Sequence, residues 1–307
     1  MNRLRADLLL LLGTLIWGTT FIAQKQANVS MKPLTFVGVR FLLSCVALAL
    51  FALVEARRPT SNRVNARDGN LAVLIGLCLF AGASLQQLGL VSTTATNGGF
   101  LTALYVIFVP LIVWALTGAR PRAMLIAACI FSVTGAWLLT IQGPLQSWNS
   151  GDALILIADL AWASQIALVP IFLKRAHRPF FLAFLQYGVV AALGILAGLA
   201  LERPTSDGLL GALPALLYAG LLSGGVAFTI QILAQHYTPA PEAALIMSLE
   251  AVFAAIAGAV ILSEPFTPAA VLGCVLILLG VALVEIGPIM KIRGMARAFK
   301  NLLGPRH

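Results

Sequence analysis

Charge is scarce in this chain, and enzyme signatures are absent. Of 307 residues only 10% are Asp, Glu, Lys or Arg, against 60% hydrophobic residues, and the mean hydropathy is +0.97. A soluble domain with one core does not carry that many apolar stretches. There is no HExxH, no CxxC pair, no P-loop and no nucleophile elbow. The three histidines, His177, His236 and His307, fall in predicted loops or the tail. Neither an enzyme, a metal centre nor a bound cofactor is expected, and ATP-driven transport would need a separate subunit. The four cysteines, Cys45, Cys78, Cys129 and Cys274, lie inside apolar runs without paired spacing, which reads as packing and excludes a disulfide framework.

Long apolar runs are what the chain does have. A helix needs about 20 residues to cross the hydrocarbon layer. Ten runs of about that length fall near 6–26, 33–55, 71–91, 97–117, 122–141, 152–173, 180–201, 209–236, 242–262 and 268–288. The expected fold class is therefore an all-α integral membrane protein of ten spans with both termini on one side. Arg3 and Arg5 before a leucine run look like the start of a signal peptide, but the apolar stretch continues to Ala23, too long for a signal core, so it reads as an uncleaved first span. Pro110 and Pro170 sit within spans, where they can weaken or kink a helix.

The ten spans are two copies of five. A shift of 145 superimposes Asp7 on Asp152, Trp17 on Trp162, Gln86 on Gln231, Leu104 on Leu249, Phe108 on Phe253, Cys129 on Cys274 and Gly135 on Gly280. One inserted residue then carries Pro33 onto Pro179 and Arg40 onto Gln186. An odd-numbered repeat must enter the membrane upside down relative to the first, which is the construction alternating access requires. The expected units are 1–143, 150–290 and a basic tail at 291–307, with the turn-rich segment 142–151 and its Trp148 joining the halves at the outer interface.

The net charge of +9 is distributed by the membrane and does not call for nucleic acid. With the N-terminus inside, 16 of the 20 basic residues fall in cytoplasmic segments. Three (Lys25, Lys32, Arg203) fall outside and Arg40 lies within a span. That bias fits the positive-inside rule in one orientation only. The tail, KIRGMARAFKNLL, interleaves basic and apolar residues as an interfacial helix on anionic lipid does. The GxxxG spacings at Gly194/Gly198 and Gly220/Gly224 read as packing surfaces.

Polar residues inside spans carry the functional signal, because each costs free energy in hydrocarbon unless it faces protein or water. Gln86 and Gln87, Gln231, Asn97, Tyr105 and Glu250 are the candidates. Gln86 and Gln231 are repeat mates, as are Trp17 and Trp162. For the glutamines an interhelical hydrogen bond competes with a cavity role, and for the tryptophans plain packing competes with substrate stacking. Arg40 lies about 10 Å below the outer end of its span at 1.5 Å per residue, and Asp159 sits at similar depth. A structural Arg40–Asp159 ion pair is expected, with a substrate-carboxylate clamp as the alternative, and Glu250 is expected to supply the cavity's negative charge.

These residues resemble the EamA-type transporters of the drug/metabolite transporter superfamily, bacterial exporters of amino acids and other metabolites. The likeness rests on Trp17-Gly18-Thr19-Thr20-Phe21 with Lys25, on Pro33 with Arg40, and on Leu249-Glu250-Ala251-Val252-Phe253 followed by Ser263-Glu264-Pro265. It departs at Ala251, where the family's pattern has proline, and at Ala119, which stands where the second half has Glu264. The resemblance implies a substrate site of Trp17, Thr20, Gln86, Asn97, Tyr105, Trp162, Gln231 and Glu250 in a plasma (inner) membrane exporter. Phosphorylated substrates would favour clustered Lys or Arg, and the span interiors offer only Arg40. A zwitterionic or amphiphilic small molecule is the expected partner beside membrane lipid. A drug or quaternary-cation exporter, or a lipid-handling or structural membrane protein, are the alternatives.

Overall fold

The computed structural model describes residues 1–58, 64–140, 149–263 and 266–302, with the backbone alone for 140 and 286–302. Trp148, Glu264, Pro265, the tip of the loop at 57–67 and the side chains of the tail lie outside the described residues. The fold is all-helical: α1 (Arg3–Ser30), α2 (Pro33–Ala56), α3 (Ala66–Gly89), α4 (Ala95–Thr102), α5 (Tyr105–Thr117), α6 (Ala123–Thr140), α7 (Ser150–Ala176), α8 (Pro179–Leu201) and α9 (Ser206–Gly211) come first. Then follow α10 (Leu213–Leu217), a π-helical stretch (Tyr218–Ala227), α11 (Phe228–Ala234), α12 (Ala240–Met247), α13 (Glu250–Leu262) and α14 (Pro268–Leu302). Among the described residues nine helical stretches are long and apolar enough to cross a membrane, and α6 is a shorter apolar helix. Their outward faces carry large apolar residues such as Val46, Leu50, Leu196 and Val260, a surface suited to lipid.

Local sequence sets the helix ends. Asn2, Asn65, Thr94 and Asn149 cap α1, α3, α4 and α7 through their side chains. Pro33 and Pro179 open α2 and α8, where a missing N–H costs nothing. Pro110 and Pro170 interrupt neither α5 nor α7. The breaks come elsewhere. The fourth expected span is divided at Ala103–Leu104 and the ninth at Ser248–Leu249, positions that the 145-residue shift superimposes. Each break is a tightened turn with i→i−3 bonds, as in Leu104 N–H to Leu101 O at 3.1 Å and Leu249 N–H to Ile246 O at 3.1 Å.

Packing closes under exchange of the two halves. Mates α2 and α8 lie against each other, as do α6 and α14, while α3 packs on α7 just as the π-helical segment and α11 pack on α1. The mates run antiparallel. Glu55, at the end of α2, accepts hydrogen bonds from the N–H groups of Phe180 (3.1 Å) and Phe181 (2.8 Å) at the start of α8. Glu202, just past the end of α8, accepts from Leu34 (2.9 Å) and Thr35 (2.7 Å) at the start of α2. A carboxylate on orphan N–H groups at a helix N-terminus satisfies both hydrogen bonding and the helix dipole. Glycine permits the closest crossings. A Cβ on Gly135 would lie 2.5 Å from the Gly273 carbonyl, and one on its mate Gly280 2.8 Å from the Ala128 carbonyl. Ala128 and Gly273 are themselves mates. Gly194, of the first GxxxG, presses on Gly38 in the same way.

Candidate functional site

Where the two broken spans meet α1, α2, α3, α7 and the π-helical segment, a cavity of about 40 Å³ remains, room for roughly one to three water molecules. Its walls are aromatic. Phe228 stands between Trp17 (centroids 4.8 Å) and Trp162 (5.6 Å, nearly parallel), with Phe21, Ile166 and Met247 completing the apolar lining. The polar lining comes from Gln24, Arg40, Gln86, Thr102, Tyr105, Gln165, Ser223, Gln231 and Glu250.

Tyr105 and Glu250 open the second half-helices of the broken spans. The Tyr105 hydroxyl faces the Glu250 carboxylate, whose Oε1 has no hydrogen-bond partner. Asp159 lies close enough to act electrostatically on both, is fully buried, and neither of its oxygens is hydrogen-bonded. Gly18 is what lets α1 reach Glu250. A Cβ there would lie 2.4 Å from Phe253 Cβ and 2.9 Å from the Glu250 carbonyl.

The glutamines form a strut on one side and a network on the other. Gln86 donates to Thr102 Oγ1 at 2.8 Å. Gln231 donates to Gln165 (3.0 Å) and Gln235 (3.1 Å), and Gln165 donates to Gln186 Oε1 (3.3 Å). Gln87 turns from the cavity toward α1, donating to the Gln24 carbonyl (3.0 Å) and Asn28 (2.9 Å).

Of the residues expected in the site, Trp17, Gln86, Tyr105, Trp162, Gln231 and Glu250 line the cavity. Thr20 does not; its hydroxyl is spent on the Ile16 carbonyl at 2.5 Å, and its repeat mate Gln165 lines the wall instead. Asn97 also lies elsewhere, donating to Thr93 (2.7 Å) and Asp152 (2.8 Å) near the start of α7. The expected Arg40–Asp159 pair is not formed. Arg40 sits over the rings of Phe36 (5.5 Å) and Phe41 (5.0 Å), while the neighbours of Asp159 are Glu250 and Tyr105. Equal depth placed the two charges at one level but said nothing of which way each faces around its helix. Gln24, Thr102, Gln165 and Ser223 were missed. For Gln165 the signal was present, since a buried amide in an apolar run carries the same cost as Gln86.

Asn97 belongs to one of two equivalent latches. At the start of α7, Asp152, Thr93 and Asn97 are joined by neutral donors. At the start of α1, the mate positions are Asp7, Thr238 and Glu242: Thr238 donates to Asp7 at 2.6 Å, and Arg3 bridges Asp7 (3.6 Å), Glu242 (2.5 Å) and Glu285 (3.3 Å).

Apolar helices, antiparallel mates and a polar cavity at paired helix breaks define a multi-pass membrane transporter. The EamA-like transporter family model matches twice, over residues 4–141 and 149–286, and the chain belongs to that family. It is 33% identical over 290 residues, 93% of this chain and 87% of the relative, to an uncharacterized transporter of Archaeoglobus fulgidus. It is 29% identical over 154 residues, 48% of each chain, to the uncharacterized inner membrane transporter YedA of Escherichia coli K12. With the uncharacterized transporter YwfM of Bacillus subtilis it shares 23% identity over 92% of this chain and 94% of that one. A protein of known crystal structure superposes with TM-score 0.76 at 17% identity, over 92% of this chain and 96% of that chain, a likeness of fold.

Proposed function

We propose that this protein is a secondary transporter of the inner membrane that exports amino acids or related small metabolites by alternating access around the cavity between its halves. The observation that carries the reading is the pairing of breaks at Ala103–Leu104 and Ser248–Leu249, each delivering a polar residue, Tyr105 or Glu250, to one aromatic-walled cavity. The interface between inverted repeats is where such transporters bind substrate, and the tightened turn in each of these two mate spans lies there. A carboxylate suits an ammonium group and the rings suit an apolar side chain. The cavity's present volume of about 40 Å³ holds no metabolite, so binding requires the halves to part. The latches at the starts of α1 and α7 are the natural points of opening. The positive-inside bias supports ten spans with cytoplasmic termini, and the tail at 291–307 lying on anionic lipid.

The test is a flux panel in proteoliposomes, with amino acids and organic cations on opposite gradients and the proton gradient clamped or imposed. Flux of amino acids is the expected result. Flux of quaternary cations alone would replace the substrate class, and no solute flux at all would favour a lipid-handling or structural role.

A further inference from the structure

Among the described residues the buried Arg40 has no anionic side chain within ion-pair distance. Arg40 is 3% exposed, lines the cavity, and its Nε has no hydrogen-bond partner. Its contacts are the faces of Phe36 and Phe41. Among the described residues four ion pairs are formed, and none includes Arg40. Asp159 and Glu250 interact electrostatically with each other, and neither is within ion-pair distance of Arg40.

The repeat supplies an internal comparison. Gln186, the mate of Arg40, accepts a hydrogen bond from Gln165 and through it joins Gln231 and Gln235. An amide at this position is therefore enough to hold α8 in the second half. A guanidinium in the first half is not needed for that work, and a buried charge without a partner is costly in a membrane span. Two further donors on cavity-lining residues are unused, the indole Nε1 groups of the mates Trp17 and Trp162. The residues that line the cavity thus include unsatisfied N–H donors at Arg40, Trp17 and Trp162 and an unsatisfied carboxylate oxygen at Glu250.

We infer that Arg40 is the anion-binding residue of the transport site, taking the carboxylate of a zwitterionic substrate whose ammonium group meets Glu250. This rests on the amino-acid reading above and deepens it by fixing which end of the substrate each residue reads. Guanidinium groups hold carboxylates through paired, charge-assisted hydrogen bonds, and the bound carboxylate supplies the counter-charge that the protein withholds.

Calorimetric titration of the purified protein tests it, with L-phenylalanine, L-leucine and L-methionine each set beside its decarboxylated amine, and with 3-phenylpropionate as the acid lacking an amine. The native protein is expected to bind the zwitterions at least tenfold more tightly than the amines. Arg40→Gln should erase that preference by weakening the zwitterions without weakening the amines, and Arg40→Lys should keep part of it. If amines bind native protein as tightly as the zwitterions, or Arg40→Gln retains the full preference, the assignment of Arg40 is overturned while the transporter reading stands. The native comparison serves even if Arg40→Gln does not fold. If zwitterions, amines and 3-phenylpropionate all fail to bind, the substrate class falls and this inference with it.

Discussion

Tyr105 and Glu250 hold equivalent places in the two halves, each the first residue after a tightened turn, and their side chains face one another in the cavity lining. One half contributes a hydroxyl and the other a carboxylate, so a site built by symmetry is chemically polar from one side to the other. Glu250→Gln keeps the size and hydrogen-bonding capacity of the side chain and removes its charge. It should leave the fold intact and lower transport of ammonium-bearing substrates at least tenfold, the factor that about 1.4 kcal/mol of lost cation binding gives. Unchanged flux through Glu250→Gln would remove the proposed ammonium contact.

The two cavity glutamines should part company on truncation. Gln86 makes one donated bond, to Thr102, and Gln231 two, to Gln165 and Gln235. Each glutamine makes one interhelical bond, about 0.6 kcal/mol, and Gln231 adds an i,i+4 bond to Gln235 along its own helix, so Gln231→Ala should lose somewhat more stability than Gln86→Ala in thermal unfolding. Both should also slow flux. Wild-type rates in both variants would reduce the pair to interhelical struts.

Gly18 should accept no side chain. A Cβ there would overlap Phe253 and the Glu250 carbonyl, so Gly18→Val forces α1 away from α13 at a cost of about 1–3 kcal/mol. A lower melting temperature with weakened substrate affinity is the expected result, and a variant matching the native protein in both would show that the contact yields freely.

Ser263 ends α13 at φ 55°, the left-handed conformation that its mate Gly118 adopts at φ 72° after α5. Glycine takes that conformation without the steric cost that a Cβ brings. Ser263→Gly should therefore stabilise the protein by up to about 1 kcal/mol after the entropy of the freer unfolded chain is subtracted, read as a rise in melting temperature. A fall would mean the serine side chain contributes more than its conformation costs.

Sidedness is open to a direct measurement. On a cysteine-free background, Thr205→Cys should react with an impermeant thiol reagent added to intact cells, and Arg120→Cys should not. The reverse pattern would turn the whole chain over.

Hydropathy alone located the helices, because long apolar runs leave little choice of element, and the repeat register carried Trp17 to Trp162 and Gln86 to Gln231 correctly. The helix breaks were not legible. No proline marks Ala103–Leu104 or Ser248–Leu249, and the prolines that drew attention, Pro110 and Pro170, lie in unbroken helices. Nor was facing legible. Depth along a span follows from counting residues, whereas the direction of Arg40 and Asp159 depends on how neighbouring helices rotate against one another. Thr20 carried a motif and Gln165 carried none, yet only Gln165 reaches the cavity, since a short hydroxyl readily bonds its own helix.

The exchanged carboxylates of α2 and α8 have a consequence for how the protein is made. The N–H groups that open α2 are satisfied by Glu202, 168 and 167 residues further along the chain. While the ribosome is still working on the second half, the start of α2 has no native acceptor, and the newly inserted first half is an unfinished object that must wait in the bilayer. Completion of α8 delivers Glu202 to α2 and receives Glu55 in return, so neither helix start is capped until the two halves meet.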